Sequence, residues 1–290
     1  MVNLLRLAMT ATVTSTAAVL GAPTTADENH GTLLDASILS SNPNPTAIDG
    51  FVPLHARRDI DNSDLHARHV IGTDNRANWN STDYPYNAMV QVEWVGRNVC
   101  SGVLIGPRHV ATARTCAPQI GETGQQFRFK PNFYFGERFP SAGMINWYVD
   151  GVGFGDCVVK DDWAIFILDK RLGEQLGYLG AKVFNPSTQL NKAQFFSYGW
   201  PADKSVGFMQ PTRQEGISVK SMGTGCEPGG SLRTDADAAW GQIGAPLWAV
   251  ENGSRYVYGV LQDETKTDYT PFAGGVNFVN AVGKTRADYP

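Results

Sequence analysis

The chain has 290 residues, of which 42% are hydrophobic, 18% charged and 11% aromatic, with 31 Gly and a formal net charge of −4. That much apolar side chain excludes a wholly disordered chain, and with no excess of Lys and Arg no nucleic-acid partner is expected. Gly and aromatics together point to an all-β protein rich in turns.

In chain order, residues 1–22 come first. Arg6 precedes an apolar, Ala/Thr-rich stretch from Leu7 to Leu20, and the small pair Gly21-Ala22 ends it. This is the outline of a secretory signal peptide. It predicts a secreted, extracellular protein whose cysteines meet an oxidising compartment. Beyond it no apolar run approaches the roughly 18 residues of a membrane-spanning helix, so no membrane partner is expected.

Residues 23–68 show no sustained periodicity. Asn42-Pro43-Asn44-Pro45 interrupts them, and Leu54-His55-Ala56-Arg57 recurs as Leu65-His66-Ala67-Arg68. The dibasic Arg57-Arg58 and the stop at Arg68 read as processing sites. The segment is therefore expected to be a propeptide, with the mature chain covering 69–290. Residues 1–68 hold 4 of the 24 bases and 7 of the 28 acids, so the body is close to neutral.

From Val70 onward short β-type runs alternate with Gly, Pro, Asn and Asp. The clearest cover residues 88–94, 102–105, 164–168, 195–198, 246–250 and 256–260. Many short strands with turns predict a sandwich or barrel. A short helical turn is expected around residues 278–282. Two sequons, at Asn80 and Asn252, predict exposed loops and a glycoprotein. The four cysteines show no Cys-x2-Cys spacing and no neighbouring His, so neither a metal site nor a cofactor is expected.

Five segments, in order, resemble the trypsin-like serine peptidases, and within them the glutamyl-endopeptidase (V8-like) branch. Val70-Ile71-Gly72-Thr73-Asp74-Asn75-Arg76 is similar to that branch's mature N-terminus. Cys100-Ser101-Gly102-Val103-Leu104-Ile105 followed by Ala111-Thr112-Ala113-Arg114-Thr115-Cys116 resembles the motif that carries the catalytic histidine. Asp162-Trp163-Ala164-Ile165 resembles the aspartate motif. Tyr198-Gly199-Trp200-Pro201-Ala202-Asp203 resembles the branch's Gly-Tyr-Pro turn, and Gly241-Gln242-Ile243-Gly244-Ala245-Pro246 resembles the nucleophile loop. The resemblance implies two packed six-stranded antiparallel β-barrels with a short C-terminal helix.

The departures carry the functional expectation. Thr115 occupies the histidine position and Ile243 the serine position; only Asp162 remains of the triad. The chemistry needs a hydroxyl nucleophile and an imidazole to take its proton. Ile has no lone pair, and a Thr hydroxyl is no base at neutral pH. His109 stands six residues before Thr115, roughly 20 Å away along a strand at ~3.3 Å per residue, and is not expected to substitute. Asp162 is then expected to be structural, with Gly241 left as an oxyanion-type turn. Where the branch places a pocket histidine stands Leu261, followed by Gln262, Asp263 and Glu264. These are expected to form a pocket wall unsuited to a glutamate side chain.

The resemblance also implies a Cys100–Cys116 bridge. The places of Cys157 and Cys226 in such a fold suggest a second pair, with the two other pairings of four cysteines still open. Trp200, Trp240 and Trp248 are expected either to fill the barrels or to line the cleft as anchors.

Three functions follow as expectations. The first is a secreted pseudoenzyme, a serine-peptidase homologue that binds a protein: an inhibitor it decoys, a protease it regulates, or a host protein it targets as an effector. The second is an endopeptidase with altered catalytic residues. The third is a secreted matrix or structural protein.

Overall fold

The computed structural model describes residues 32–34, 46–53, 74–150, 156–224, 226, 230–262 and 268–290. The signal region, the basic sites Arg57, Arg58 and Arg68, and the acids Asp263 and Glu264 lie outside the described residues.

Seventeen strands are described. They are β1 (Thr32–Leu34), β2 (Ala47–Ile48), β3 (Ala77–Asn78), β4 (Met89–Trp94), β5 (Asn98–Gly106), β6 (His109–Ala113), β7 (Phe127–Pro131), β8 (Met144–Asp150) and β9 (Trp163–Leu168). Then follow β10 (Gly180–Lys182), β11 (Phe195–Gly199), β12 (Thr212–Ile217), β13 (Val219–Met222), β14 (Leu232–Thr234), β15 (Pro246–Glu251), β16 (Ser254–Leu261) and β17 (Thr270–Gly274). A helix, Val276–Asp288, ends the chain.

The first sheet runs β1-β8-β9-β6-β5-β4-β7. Phe129 and Ala142 exchange both backbone hydrogen bonds, at 2.9 and 3.1 Å, which joins β7 back toward β8 and closes the sheet into a barrel. Closure removes the sheet edges that would otherwise expose unpaired N–H and C=O groups. The second sheet runs β13-β14-β17-β16-β15-β11-β12-β3, with β10 and β2 added beside β16. Only Ser218 separates β12 from β13, so that strand bends and continues around the sheet. The architecture is a trypsin-like double β-barrel. The short pieces β1, β2, β3 and β10 are additions that the six-strand expectation omitted.

Local sequence explains the strands. β9 is all apolar and wholly buried, as a strand covered on both faces must be. Asn252 and Gly253 both take positive φ, +50° and +80°, and form the two-residue turn that matches strand twist between β15 and β16. The C-terminal helix buries Phe278, Val279, Ala281, Val282 and Thr285 on one face. Phe278 meets Trp163 edge-on at 5.8 Å, which seats the helix on the first barrel. The helix is 13 residues long against the short turn expected.

Two pieces of the 23–68 segment are built into the sheets. β1 adds in parallel to β8, with Thr32 opposite Tyr148 and Leu34 opposite Asp150. β2 adds antiparallel to β10, with Ile48 opposite Ala181. Among the described residues no helix is long and apolar enough to cross a membrane.

Candidate functional site

The site forms where the chain leaves β6 and enters β9. These strands are antiparallel with Ala113 opposite Trp163. The residues just beyond therefore emerge side by side, and the Arg114 N–H donates to the Asp162 carbonyl at 3.2 Å. Thr115 is exposed on the single turn that follows, while Asp162 is buried at 6% exposure. The second barrel contributes the loop before β15. There the Ser101 N–H donates to the Ile243 carbonyl at 2.8 Å, and the Cys116 sulfur lies 3.7 Å from the same oxygen. The structure thus brings Thr115, Asp162 and Ile243 to one junction between the barrels. The Cys100–Cys116 disulfide ties β5 to the turn that carries Thr115.

The loop around Ile243 depends on two glycines. Gly241 and Gly244 have φ of +93° and +86°, a region that L side chains rarely enter. An added Cβ at Gly241 would overlap the Trp200 carbonyl, and one at Gly244 would overlap Thr112 Oγ1 and the Ser101 carbonyl. Ser101 Oγ donates to the Gly241 carbonyl at 2.9 Å and accepts from the Trp200 N–H at 3.0 Å. One buried hydroxyl therefore fixes the loop against the β11 turn. Ile243 is half-buried and packs on the main hydrophobic core.

Beneath this loop lies a charge network absent from the sequence reading. Arg76 is buried, and its guanidinium donates to Gln242 Oε1 at 2.7 Å. It also donates to both carboxylate oxygens of Asp74, at 3.0 and 2.9 Å, and of Asp203, at 3.2 and 2.6 Å. Lys204 adds a second cation 2.6 Å from Asp74. Burial alone would raise the Asp74 pKa, but the bonds from Arg76 and Lys204 outweigh it and hold the group well below the usual carboxylate range. Gln242 also accepts the Ala239 N–H at 3.1 Å. Arg76 thereby clamps the 74–76 segment, the turn at Asp203 and the Ile243 loop together.

Other expected residues fall elsewhere. Leu261 was expected in the pocket wall, and this is corrected: its side chain is buried in the core of the second barrel with Leu247, Tyr258 and Phe272. The reason is a register shift between β15 and β16, where Leu247 faces Gly259 but Trp248 faces Val257. An extra residue reverses which side chains face inward. Only the Leu261 backbone serves the loop, accepting from the Gly244 N–H at 2.7 Å. Gln262 is half-buried and donates its N–H to Pro271.

Trp200 and Trp248 are buried core, Trp200 donating to the Phe133 carbonyl and Trp248 stacked on Phe196. Trp240 stays 49% exposed beside Gly241. His109 is the one histidine among the described residues. It is fully buried, with Nε2 3.0 Å from the Thr285 carbonyl of the C-terminal helix. Burial lowers its pKa to about 4, so it is neutral and occupied far from Thr115. Cys157 and Cys226 form the second disulfide. Asn80 and Asn252 are both exposed, and Asn80 Oδ1 accepts from Arg138.

Asp161, next to Asp162, was not foreseen as part of the site. It pairs with Lys160 at 3.4 Å and accepts from Asn277 at 3.3 Å, and the same amide donates to Asp150 at 3.1 Å. Burial raises its pKa to about 6, against the opposing pull of Lys160. The clue in the sequence was the Lys160-Asp161-Asp162 run. Arg76, Gln242 and Ser101 left a fainter one, because the partners that join them across the chain lie 99 to 166 positions away.

No protein-family model matches the chain. A glutamyl endopeptidase of Bacillus licheniformis is 29% identical over 143 residues, covering 48% of this chain and 44% of that protein. The chain thus spans less than half the length of the curated relative it matches. Among solved structures, a Glu endopeptidase in complex with MPD superposes with a TM-score of 0.61 at 22% identity, over 76% of this chain and all of that one. Human heparin binding protein superposes at 0.56 with 16% identity, over 75% and 98% of the two chains. The protease Anisep from Arthrobacter nicotinovorans gives 0.52 with 17% identity, over 73% and 100%. The chain has the trypsin-like serine protease fold.

Proposed function

We propose that this is a secreted serine-peptidase homologue that does not cleave peptides and acts by binding another protein across the junction of its barrels. The observation that carries the reading is the pair of side chains at that junction, Ile243 on the glycine-shaped loop and Thr115 on the turn beside Asp162. Isoleucine offers no nucleophile and threonine no base at neutral pH. In a well-studied enzyme, loss of either the serine or the histidine costs on the order of 10⁶ in turnover. His109 supplies no replacement, being neutral and bound to the C-terminal helix.

The surrounding face suits binding. Trp240 is exposed, with its carbonyl held by the Ala202 N–H at 2.8 Å, and a tryptophan fixed through its backbone is a good anchor. The loop shape set by Gly241 and Gly244 does not need the nucleophile. A protein inhibitor that docks in a substrate-like way reads that shape, so the partner class is a protease inhibitor, with a protease or a host protein as the other members. The two disulfides, exposed Asn80 and Asn252, and the leader fit a secreted glycoprotein.

The test compares the natural chain with the Thr115→His plus Ile243→Ser double variant on a peptide pool. The expected result is a silent natural chain and a cleaving variant, together with saturable binding of the natural chain to a substrate-like protein inhibitor. Cleavage by the natural chain, absent from a mock purification, would overturn the reading in favour of an endopeptidase with altered residues. Silence from both forms without saturable binding would favour a matrix role.

A further inference from the structure

The basic sites Arg57-Arg58 and Arg68 divide the sequence into a leader and a body, and residues 46–53 fall on the leader side. Their contacts are those of an edge strand tied down by backbone and side-chain bonds. The Val183 N–H donates to the Thr46 carbonyl at 2.9 Å, and Phe51 and Tyr178 exchange both backbone hydrogen bonds at 2.8 and 2.9 Å. Ile48 packs on the main core and lies against Gly283 of the C-terminal helix. Gly50 and Gly180 approach so closely that an added Cβ on Gly50 would overlap the Gly180 nitrogen and the Tyr178 carbonyl. Asp49 is held at both ends: its side chain accepts from the Tyr256 hydroxyl at 2.8 Å, and its carbonyl accepts from Arg286 at 2.7 Å. Arg286 also donates to the Ile105 and Leu179 carbonyls. One guanidinium therefore joins this segment, the first barrel and the link between the barrels.

We infer that residues 46–53 are a permanent strand of the domain, and that cutting the backbone at the basic sites yields a two-chain protein in which the N-terminal piece stays bound without a covalent link. The groove that holds it is formed by the β10 edge, Tyr178, Tyr256 and the Arg286 face of the C-terminal helix. It fits an extended peptide with glycine where the backbones touch and an acid just before it. If the piece left, β10 would expose a row of unpaired backbone groups, and Arg286 would lose a partner. This goes beyond the proposed binding role and does not depend on it.

The test uses the full chain with residues 55–58 replaced by the recognition site of a specific endopeptidase, cut under native conditions. The expected result is a single size-exclusion peak that contains both pieces in equal amounts by mass spectrometry, separated only by denaturant. A body that elutes alone under native conditions overturns the inference. Should the site resist cutting, the uncut Gly50→Val variant decides. A melting point lower by about 4 °C or more supports a permanent strand, and an unchanged one overturns it. Neither result bears on whether the junction cleaves peptides.

Discussion

The loop at 239–244 and the turn at 114–116 meet at the same junction, yet different forces hold them. The loop depends on backbone conformation and buried polarity: two left-handed glycines, the Ser101 hydroxyl beneath them and the Arg76 network behind them. The turn depends on strand register and a disulfide, which leave Thr115 exposed and free of packing demands. The contrast teaches that the shape of this site is separable from its chemistry. The side chains of Thr115 and Ile243 are not the ones that build the frame.

The largest expected effect falls on the frame. Gly244→Ala should cost at least about 4 kcal/mol or abolish folding, because a Cβ there meets Thr112 and Ser101 and the backbone must also leave its left-handed conformation. Expression yield and thermal melting read this out. A Gly244→Ala protein that melts like the natural one would break the contrast.

Arg76→Ala should cost less, about 2 kcal/mol, since it leaves Gln242 Oε1 with only the Ala239 N–H while Asp74 and Asp203 are partly reached by water. Chemical denaturation measures it. Acidification should mimic it in part. Asp74 has a depressed pKa, so its contribution is present above pH ~4 and is lost as pH falls below that.

Asp161 has the opposite sign. Its folded pKa of about 6 lies above its unfolded value of 3.8, so the folded chain holds a proton that the unfolded chain has released. Stability should therefore fall as pH rises from about 4 to 6 and stay level above. Asp161→Asn should flatten that slope. A slope unchanged in the variant would assign it to another group.

The smallest effect on stability sharpens the contrast from the other side. Trp240→Ala removes an exposed ring and should leave melting unchanged while weakening partner binding about tenfold or more, as titration calorimetry would show.

The central strands were legible because apolar, β-branched runs are long enough to signal themselves, as in residues 164–168. Thr115, Asp162 and Ile243 were legible because their neighbours carry a recognisable order of short motifs. Leu261 was placed by its alignment with the branch's pocket histidine, whereas its side chain packs with Leu247, Tyr258 and Phe272 beside a register shift that no composition signal marks. The C-terminal helix reads as a short turn because Asn277, Asn280, Gly283 and Lys284 dilute its apolar stripe. In residues 46–53 the apolar side chains are interrupted by Asp49 and Gly50 and closed by Pro53, and their strand is defined by what Gly180 and Arg286 leave open for them, which is information held elsewhere in the chain. Arg76 escaped for the same reason, since Asp203 and Gln242 become its neighbours only after folding.

The Cys157–Cys226 bridge has a mechanical meaning. Cys157 sits between β8 and β9 of the first barrel, and Cys226 between β13 and β14 of the second, 69 residues further on. The bond works as a rivet across the two halves: it fixes the distance between a segment of one barrel and a segment of the other, so the barrels cannot swing apart at that point without breaking a covalent link.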